Sequence, residues 1–201
     1  MTALSLTLLV ALTGIGTPPR GSRPAQSGTA TETAPAPALS DTDVAERVHT
    51  YLASIDTPVT VAQWRALGAR AVAPLEAVLQ DHDSMPSRRA KAVEALSVIG
   101  GERARQLVVQ TARSEQEPFG VRASALRGAA RVLSQKELVA ELRPVMENAR
   151  RGPIRATAAE VLARHGGASA CTAVRAQAGR ERAQGRSQFS RALERCASTN
   201  R

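Results

Sequence analysis

The sequence predicts an all-α protein built from stacked helix pairs, and two observations predict it. Aromatic residues make up 2% of the chain, whereas β-sandwiches and barrels are usually rich in aromatic and β-branched residues; Ala, Leu, Arg, Glu and Gln, which favour helices, are abundant instead. In addition, one helical phrase recurs at intervals of 33 residues, starting at Arg89, Arg122 and Arg155, and it reads RAKAVEAL, RASALRGA and RATAAEVL. A fixed period between about 20 and 50 residues is typical of stacked-repeat architectures.

The N-terminal part of the chain predicts export. Residues 1–16 form an apolar run that is shorter than the roughly 20 residues needed to span a bilayer, and Gly14 and Gly16 suit a signal-peptide cleavage site before Thr17. No Lys or Arg precedes the run, so the usual basic start is absent, and an uncleaved anchor or a chance apolar tail are the alternatives. Residues 17–40 are rich in Pro, Ala, Thr and Ser and predict a disordered linker. We therefore expect a periplasmic or extracellular protein without a membrane span, whose folded domain covers residues 41–201.

Three short helices are expected before the repeated phrase. Ser40 suits an N-cap and opens an apolar stripe that Pro58 closes. The segment from Val61 to Leu67 carries Trp64 and stops at Gly68, and a third helix starts near Val72.

Paired helices with Gly- or Pro-containing turns are expected in the rest of the chain. Pro144 falls inside one of them and is expected to kink or split it. The predicted helices cover residues 87–99, 102–113, 119–133, 135–150, 154–165, 168–178 and 187–197.

These segments resemble HEAT-like repeats, in particular the short repeats of phycobilisome-lyase-type HEAT proteins. The shared phrase is Arg-x-x-Ala-x-x-x-Leu, which is complete from Arg89 and from Arg155, whereas the copy from Arg122 has Ala129 in place of Leu. The phrase from Leu67 to Leu75 is also similar, and the resemblance covers residues 60–197. It implies a right-handed α-solenoid of about four stacked antiparallel helix pairs plus a terminal helix, with a concave surface of second helices that holds a protein partner. By analogy alone it also suggests a lyase or isomerase acting on a bound chromophore.

The repeated arginines Arg89, Arg122 and Arg155 have two interpretations. They form either a cationic ladder for an anionic ligand or a structural element of each repeat. In the structural interpretation, which we favour because the repetition follows the fold, each arginine pairs with an acidic residue of the turn before it. The candidate acids are Asp81, Asp83, Glu115, Glu117 and Glu147.

The cysteines Cys171 and Cys196 are predicted to form a disulfide. Cys171 begins a second helix and Cys196 ends the following first helix, so in an antiparallel stack the two ends lie at the same edge. A disulfide would agree with export; two free buried thiols are the alternative.

The chain contains no recognisable catalytic or phosphate-binding motif. His49, His82 and His165 are isolated, and the segment from Asp81 to Asp83 is expected to be a polar turn rather than a metal site. We therefore expect neither an enzyme nor a cofactor.

The formal charge of +9 is concentrated at the C-terminal end of the chain. Residues 41–149 carry 14 basic and 14 acidic side chains, whereas residues 150–201 carry 11 Arg and 3 Glu. This excess suggests either a solvated end or an anion-binding face for nucleic acid or an acidic envelope polymer. Nucleic acid is disfavoured if the protein is exported. The candidate anion-binding residues are Arg150, Arg151, Arg175, Arg180, Arg182 and Arg186.

The leading functional prediction is a monomeric, non-catalytic scaffold that binds a protein partner on its concave face. The alternative is an anion-binding module that uses the Arg-rich end.

Overall fold

The computed structural model describes residues 39–198. Within this range the chain is all-helical, and no strand occurs. The predicted signal peptide and nearly all of the predicted linker lie outside the described residues. The elements are α1 Asp41–Ala53, α2 Val61–Leu67, a 3-10 helix Gly68–Ala71, α3 Val72–Gln80, α4 Pro86–Ile99, α5 Glu102–Arg113, α6 Phe119–Val132, α7 Gln135–Asn148, α8 Gly152–His165, α9 Gly167–Arg180, α10 Ala183–Gln188 and α11 Ser190–Ser198.

Local sequence signals account for many of the helix ends. Ser40, Thr60 and Ser134 each form a capping box with the side chain three residues later, which satisfies backbone N–H groups that the first turn leaves free. Gly68 and Gly100 end α2 and α4 with φ values of 63° and 73°, a left-handed conformation that glycine adopts without a Cβ penalty. These boundaries agree with the sequence prediction.

The 33-residue period of the sequence is also the period of the helices. Helices α4, α6 and α8 begin at Pro86, Phe119 and Gly152, which are 33 residues apart. Three apolar positions of the repeated phrase are fully buried in all three helices: Ala92, Ala125 and Ala158; Val93, Leu126 and Ala159; and Leu96, Ala129 and Leu162.

The helices pack in two rows with the apolar core between them. In the first row, α4 contacts α6, α6 contacts α8, and α8 contacts α11. In the second row, α3 contacts α5, α5 contacts α7, and α7 contacts α9. Each of the helices α4 to α9 also contacts its neighbours in sequence, so that the two rows are joined along their length. None of the helices in residues 39–198 combines the length and the apolar character that a bilayer span requires.

Two helices bear on the sequence prediction. Of the kink or split expected at Pro144, the split does not occur, because helix α7 continues through the proline; the proline is exposed, so water can reach the carbonyl group that the missing N–H leaves free. The predicted terminal helix 187–197 is instead two helices, α10 and α11, separated at Phe189. Phe189 is 0% exposed, and burial of this large side chain in the core accompanies the break.

Helices α4 and α6 approach closely where small residues face each other. A Cβ added to Gly128 would lie 2.9 Å from Cβ of Ser97 and 3.2 Å from its hydroxyl. Because Cβ of Ser97 is fixed to the backbone of α4, the two helices have to separate to admit even a methyl group.

We therefore expect Gly128→Ala to lower the free energy of unfolding by about 1 kcal/mol. Overpacking costs roughly 1–3 kcal/mol, and this outweighs the gain of about 1 kcal/mol in helix propensity. The matched control is Gly120→Ala in the first turn of α6, where an added Cβ meets nothing within 4 Å and stability should rise. Urea denaturation measures both variants, and a stabilised Gly128→Ala protein would contradict the close packing.

Candidate functional site

The three repeated arginines bind the ends of neighbouring helices, and Arg89 and Arg122 are buried while Arg155 is partly buried. Nε of Arg89 donates to the Leu79 carbonyl (2.8 Å), and Nε of Arg122 donates to the Ala112 carbonyl (2.9 Å). These carbonyls belong to the last turns of α3 and α5, where acceptors lack helical partners and a positive charge is favourable. Nη1 of Arg155 likewise donates to the carbonyl of Ala149 (2.8 Å), just after α7.

Each arginine is also paired with a glutamate. Nη1 of Arg122 lies 2.7 Å from the carboxylate of Glu115, which belongs to the turn before α6. Arg89 and Arg155 instead pair with glutamates of later turns: Glu117, at 2.8 Å, and Glu181, at 2.6 Å. Their glutamate partners, and for Arg89 and Arg122 also their burial, leave these guanidinium groups little capacity to bind an external anion.

The Arg155–Glu181 pair predicts a pH dependence of stability. Hydrogen bonds from Arg155 lower the pKa of Glu181 below its ordinary value of 4.5. A carboxylate with a lowered folded-state pKa stabilises the fold above its unfolded-state pKa, and this contribution disappears as the pH falls through the folded-state value. Glu181→Gln should therefore lose less stability than the wild type between about pH 7 and about pH 3. Urea midpoints across this pH range measure the effect, and Glu194→Gln at an exposed position of α11 is the control. If Glu181→Gln and the wild type lose the same stability on acidification, the prediction is wrong.

The six candidate anion-binding arginines do not converge on one site. Arg180 and Arg182 line a cleft of about 610 Å³, but Glu147 and Glu181 line it too. Two others hold the local backbone, since Arg175 donates to the carbonyl of Cys196 (2.8 Å) and Arg186 to that of Glu181 (3.4 Å). Arg150 and Arg151 are exposed and are not part of the cleft wall.

The predicted cysteine pair meets at the C-terminal end of the described structure. Cys171 lies near the start of α9 and Cys196 near the end of α11. Their Cα atoms are 5.3 Å apart and their sulfur atoms are at disulfide distance. Both side chains are buried, so a bond between them would join the last helix to α9.

The histidines remain apart, and the segment around His82 forms a turn. The Asp81 carboxylate accepts hydrogen bonds from the Ser84 hydroxyl (2.8 Å) and the Asp83 N–H (3.1 Å), and the hydrogen bond from Ser84 is the main cause of its lowered pKa. Within residues 39–198, no group of three or more His, Cys, Asp or Glu side chains is arranged to hold a metal ion.

A mainly apolar cavity that sequence reasoning missed lies beside α1, α2 and α4, and its lining also includes the charged side chains of Lys91, Glu94 and Arg131. Its volume is about 370 Å³. Tyr51 and Trp64 form part of the wall and pack edge to face, with ring centroids 5.2 Å apart. Ile55 and Val61, two of the exposed large apolar residues of the described chain, lie at its mouth, with exposures of 89% and 46%.

Lys91 fixes the loop that carries Ile55. Its Nζ donates to the carbonyl of Ser54 (2.5 Å) and more weakly to that of Leu52 (3.4 Å) at the end of α1. The Ser54 hydroxyl in turn donates to the Thr57 carbonyl (2.6 Å). The exposed apolar side chain is therefore presented by a hydrogen-bonded loop.

A second cavity of about 370 Å³ lies between α6 and α8, and Arg131 lines both cavities. We call the two cavities together the first-row groove. Its second half is basic: Arg127 and Arg131 donate to the hydroxyls of Ser124 and Ser97, and neither has a carboxylate partner among residues 39–198. Arg164 pairs with Glu160 (3.2 Å). Burial, followed by the charges of Arg164 and Arg195, lowers the pKa of His165 in the same wall.

The wall of the groove follows the 33-residue period. Val98, Arg131 and Arg164 occupy equivalent positions of α4, α6 and α8, and so do Glu94, Arg127 and Glu160. This spacing was present in the sequence and could have revealed the wall that α4, α6 and α8 form, although not the loop at Ile55.

Comparison with family models, curated proteins and solved structures gives no match in any of the three. The resemblance to HEAT-like repeats therefore depends on the phrases of the sequence itself.

Proposed function

We propose that this protein is a non-catalytic, HEAT-like repeat scaffold that binds a protein partner in the first-row groove. The observation that carries the proposal is the combination of exposed apolar side chains, held by an ordered loop, with guanidinium groups that have no carboxylate partner in the described chain. Exposed apolar surface next to a pre-formed cavity is a common property of protein-binding sites.

The two-row packing supports a solenoid. The 33-residue spacing of helices and the recurrence of an arginine that caps a neighbouring helix are what stacked equivalent units produce. We take the solenoid to be right-handed, as the resemblance implies, and the protein to be a monomer.

The packing within the rows favours a binding face different from the one that the resemblance implies. Helices of the first row contact each other more extensively than those of the second row, and small residues such as Gly128 allow this approach. In a curved stack, the more closely packed row lies on the inside. We therefore place the concave face on α4, α6 and α8, where the groove lies, rather than on the second helices.

The alternative is an anion-binding module at the Arg-rich end. It is supported by Arg180 and Arg182 in their cleft and by the excess of arginine after residue 149. The carboxylates in the same cleft weaken it, and binding of this kind would weaken steeply with rising salt.

Export is part of the proposal. Two findings are compatible with a periplasmic or extracellular protein. The sulfur atoms of Cys171 and Cys196 are at disulfide distance, and no helix of residues 39–198 is able to span a membrane.

Site-specific photocrosslinking in the cell of origin tests the binding face. A photoreactive amino acid at Ile55 or Arg127 should give a discrete adduct with one protein. The same group at Lys136 or Gln106, exposed on α7 and α5 of the second row, should not. Adducts only from the second-row positions would refute the proposed face, and salt-sensitive nucleic-acid or polymer binding without protein adducts would favour the alternative.

A further inference from the structure

The first-row groove has chemically different halves, and this difference specifies its occupant. We infer that it takes a partner segment in which an apolar anchor residue is followed or preceded by one or more carboxylates. This inference rests on the proposed function, because it names the chemistry of the partner at the same face.

The apolar half selects the anchor. Tyr51, Trp64 and Val98 line the cavity, and Ile55 and Val61 lie at its mouth. A cavity of about 370 Å³ accommodates one large aliphatic or aromatic side chain, and burial of such a side chain favours binding. Binding would also bury the side chain of Ile55, which is 89% exposed in the free protein.

The basic half selects the carboxylates. Arg127 and Arg131 hydrogen-bond to serine hydroxyls, which leaves most of their N–H donors available. Arg164 is engaged by Glu160, so the two unpaired guanidinium groups are the ones that favour an acidic partner. A bidentate arginine–carboxylate contact also adds geometric specificity.

The spacing of the helices limits the length of the occupant. Neighbouring packed helices are about 8–10 Å apart, so a segment that crosses from α4 to α8 covers about 20 Å. An extended chain covers this distance in about 6 residues, and a helix covers it in about 13 residues.

A displayed library of random twelve-residue peptides tests the inference. Selection on the full chain should enrich peptides that combine a large apolar residue with Asp or Glu, and single peptides are then measured by fluorescence polarisation. We expect Ile55→Asp to weaken binding about tenfold or more and Arg131→Glu about fivefold or more. Replacing the carboxylates of the peptide by Lys should restore binding to Arg131→Glu. Lys136→Glu is the matched control and should change binding less than about twofold.

The outcomes separate this inference from the proposed function. Selected peptides without carboxylates, binding that Arg131→Glu does not change, or no binder that depends on Ile55 would overturn the inference. Because the substituted residues are exposed, circular dichroism should show unchanged folding in every variant. Groove-specific crosslinks together with peptides that show no preference for carboxylates would leave the partner-binding face in place and refute only its acidic specificity.

Discussion

Replacement of Arg122 by methionine is expected to lower the free energy of unfolding by about 3 kcal/mol. Methionine keeps the apolar stem but removes the guanidinium group that binds the Glu115 carboxylate and the carbonyl of Ala112. Arg122 is 2% exposed, so water does not fully replace these interactions. Removal of one member of a buried ion pair costs roughly 3–5 kcal/mol, and we take the lower end because the Glu115 side chain is one-third exposed.

Arg127→Met in the same helix is the matched control, because Arg127 is exposed and hydrogen-bonds to a serine hydroxyl. Its effect should be less than about 0.5 kcal/mol. Chemical denaturation of the three proteins gives the comparison. If Arg122→Met is no more destabilising than the control, the repeated arginines are not structural, and a ladder that binds anions becomes the better interpretation.

The all-helical fold of the described domain and several of its helix ends could be predicted from sequence because their signals are local or periodic. Capping residues such as Ser40 and glycine stops such as Gly68 act within one turn, and they fixed the helix ends that the structure has. The 33-residue phrase starting at Arg89 identified equivalent helices. Helices that pack in the same way in successive repeats need similar residue types at the same positions of each repeat.

Features that depend on contacts between distant segments could not be predicted in the same way. The acid that pairs with Arg89 comes from a turn 28 residues later, and only the packed structure brings that turn alongside α4. The break at Phe189 accompanies the burial of this side chain, which is 0% exposed, in the core. The groove requires the loop at Ile55, whose shape depends on the amine of Lys91, 37 residues away from the carbonyl of Ser54 that it binds.

Loss of the Cys171–Cys196 cross-link is expected to destabilise the protein by about 3 kcal/mol. A disulfide between residues separated by 25 positions restricts the unfolded chain, and the loop-closure entropy at this length gives about that value. The double variant Cys171→Ala and Cys196→Ala should therefore unfold at a lower urea concentration than the oxidised wild type. Both sulfurs are buried, so the double variant loses packing as well as the covalent bond. The reduced wild type is the matched control, because it loses only the bond.

The mass of the protein isolated from its own cells decides whether this cross-link exists and where it forms. We expect the mass to increase by about two hydrogen masses on reduction and to match a chain whose N-terminus lies near Thr17. This result would agree with an exported, cross-linked protein. Its stability should then fall towards that of the double variant when the bond is reduced. If the isolated protein is full-length, reduced and equally stable with or without reducing agent, both export and the cross-link are refuted. The Arg-rich C-terminal end would then face the nucleic acids of the cell interior, and salt-dependent DNA binding would become the first activity to measure.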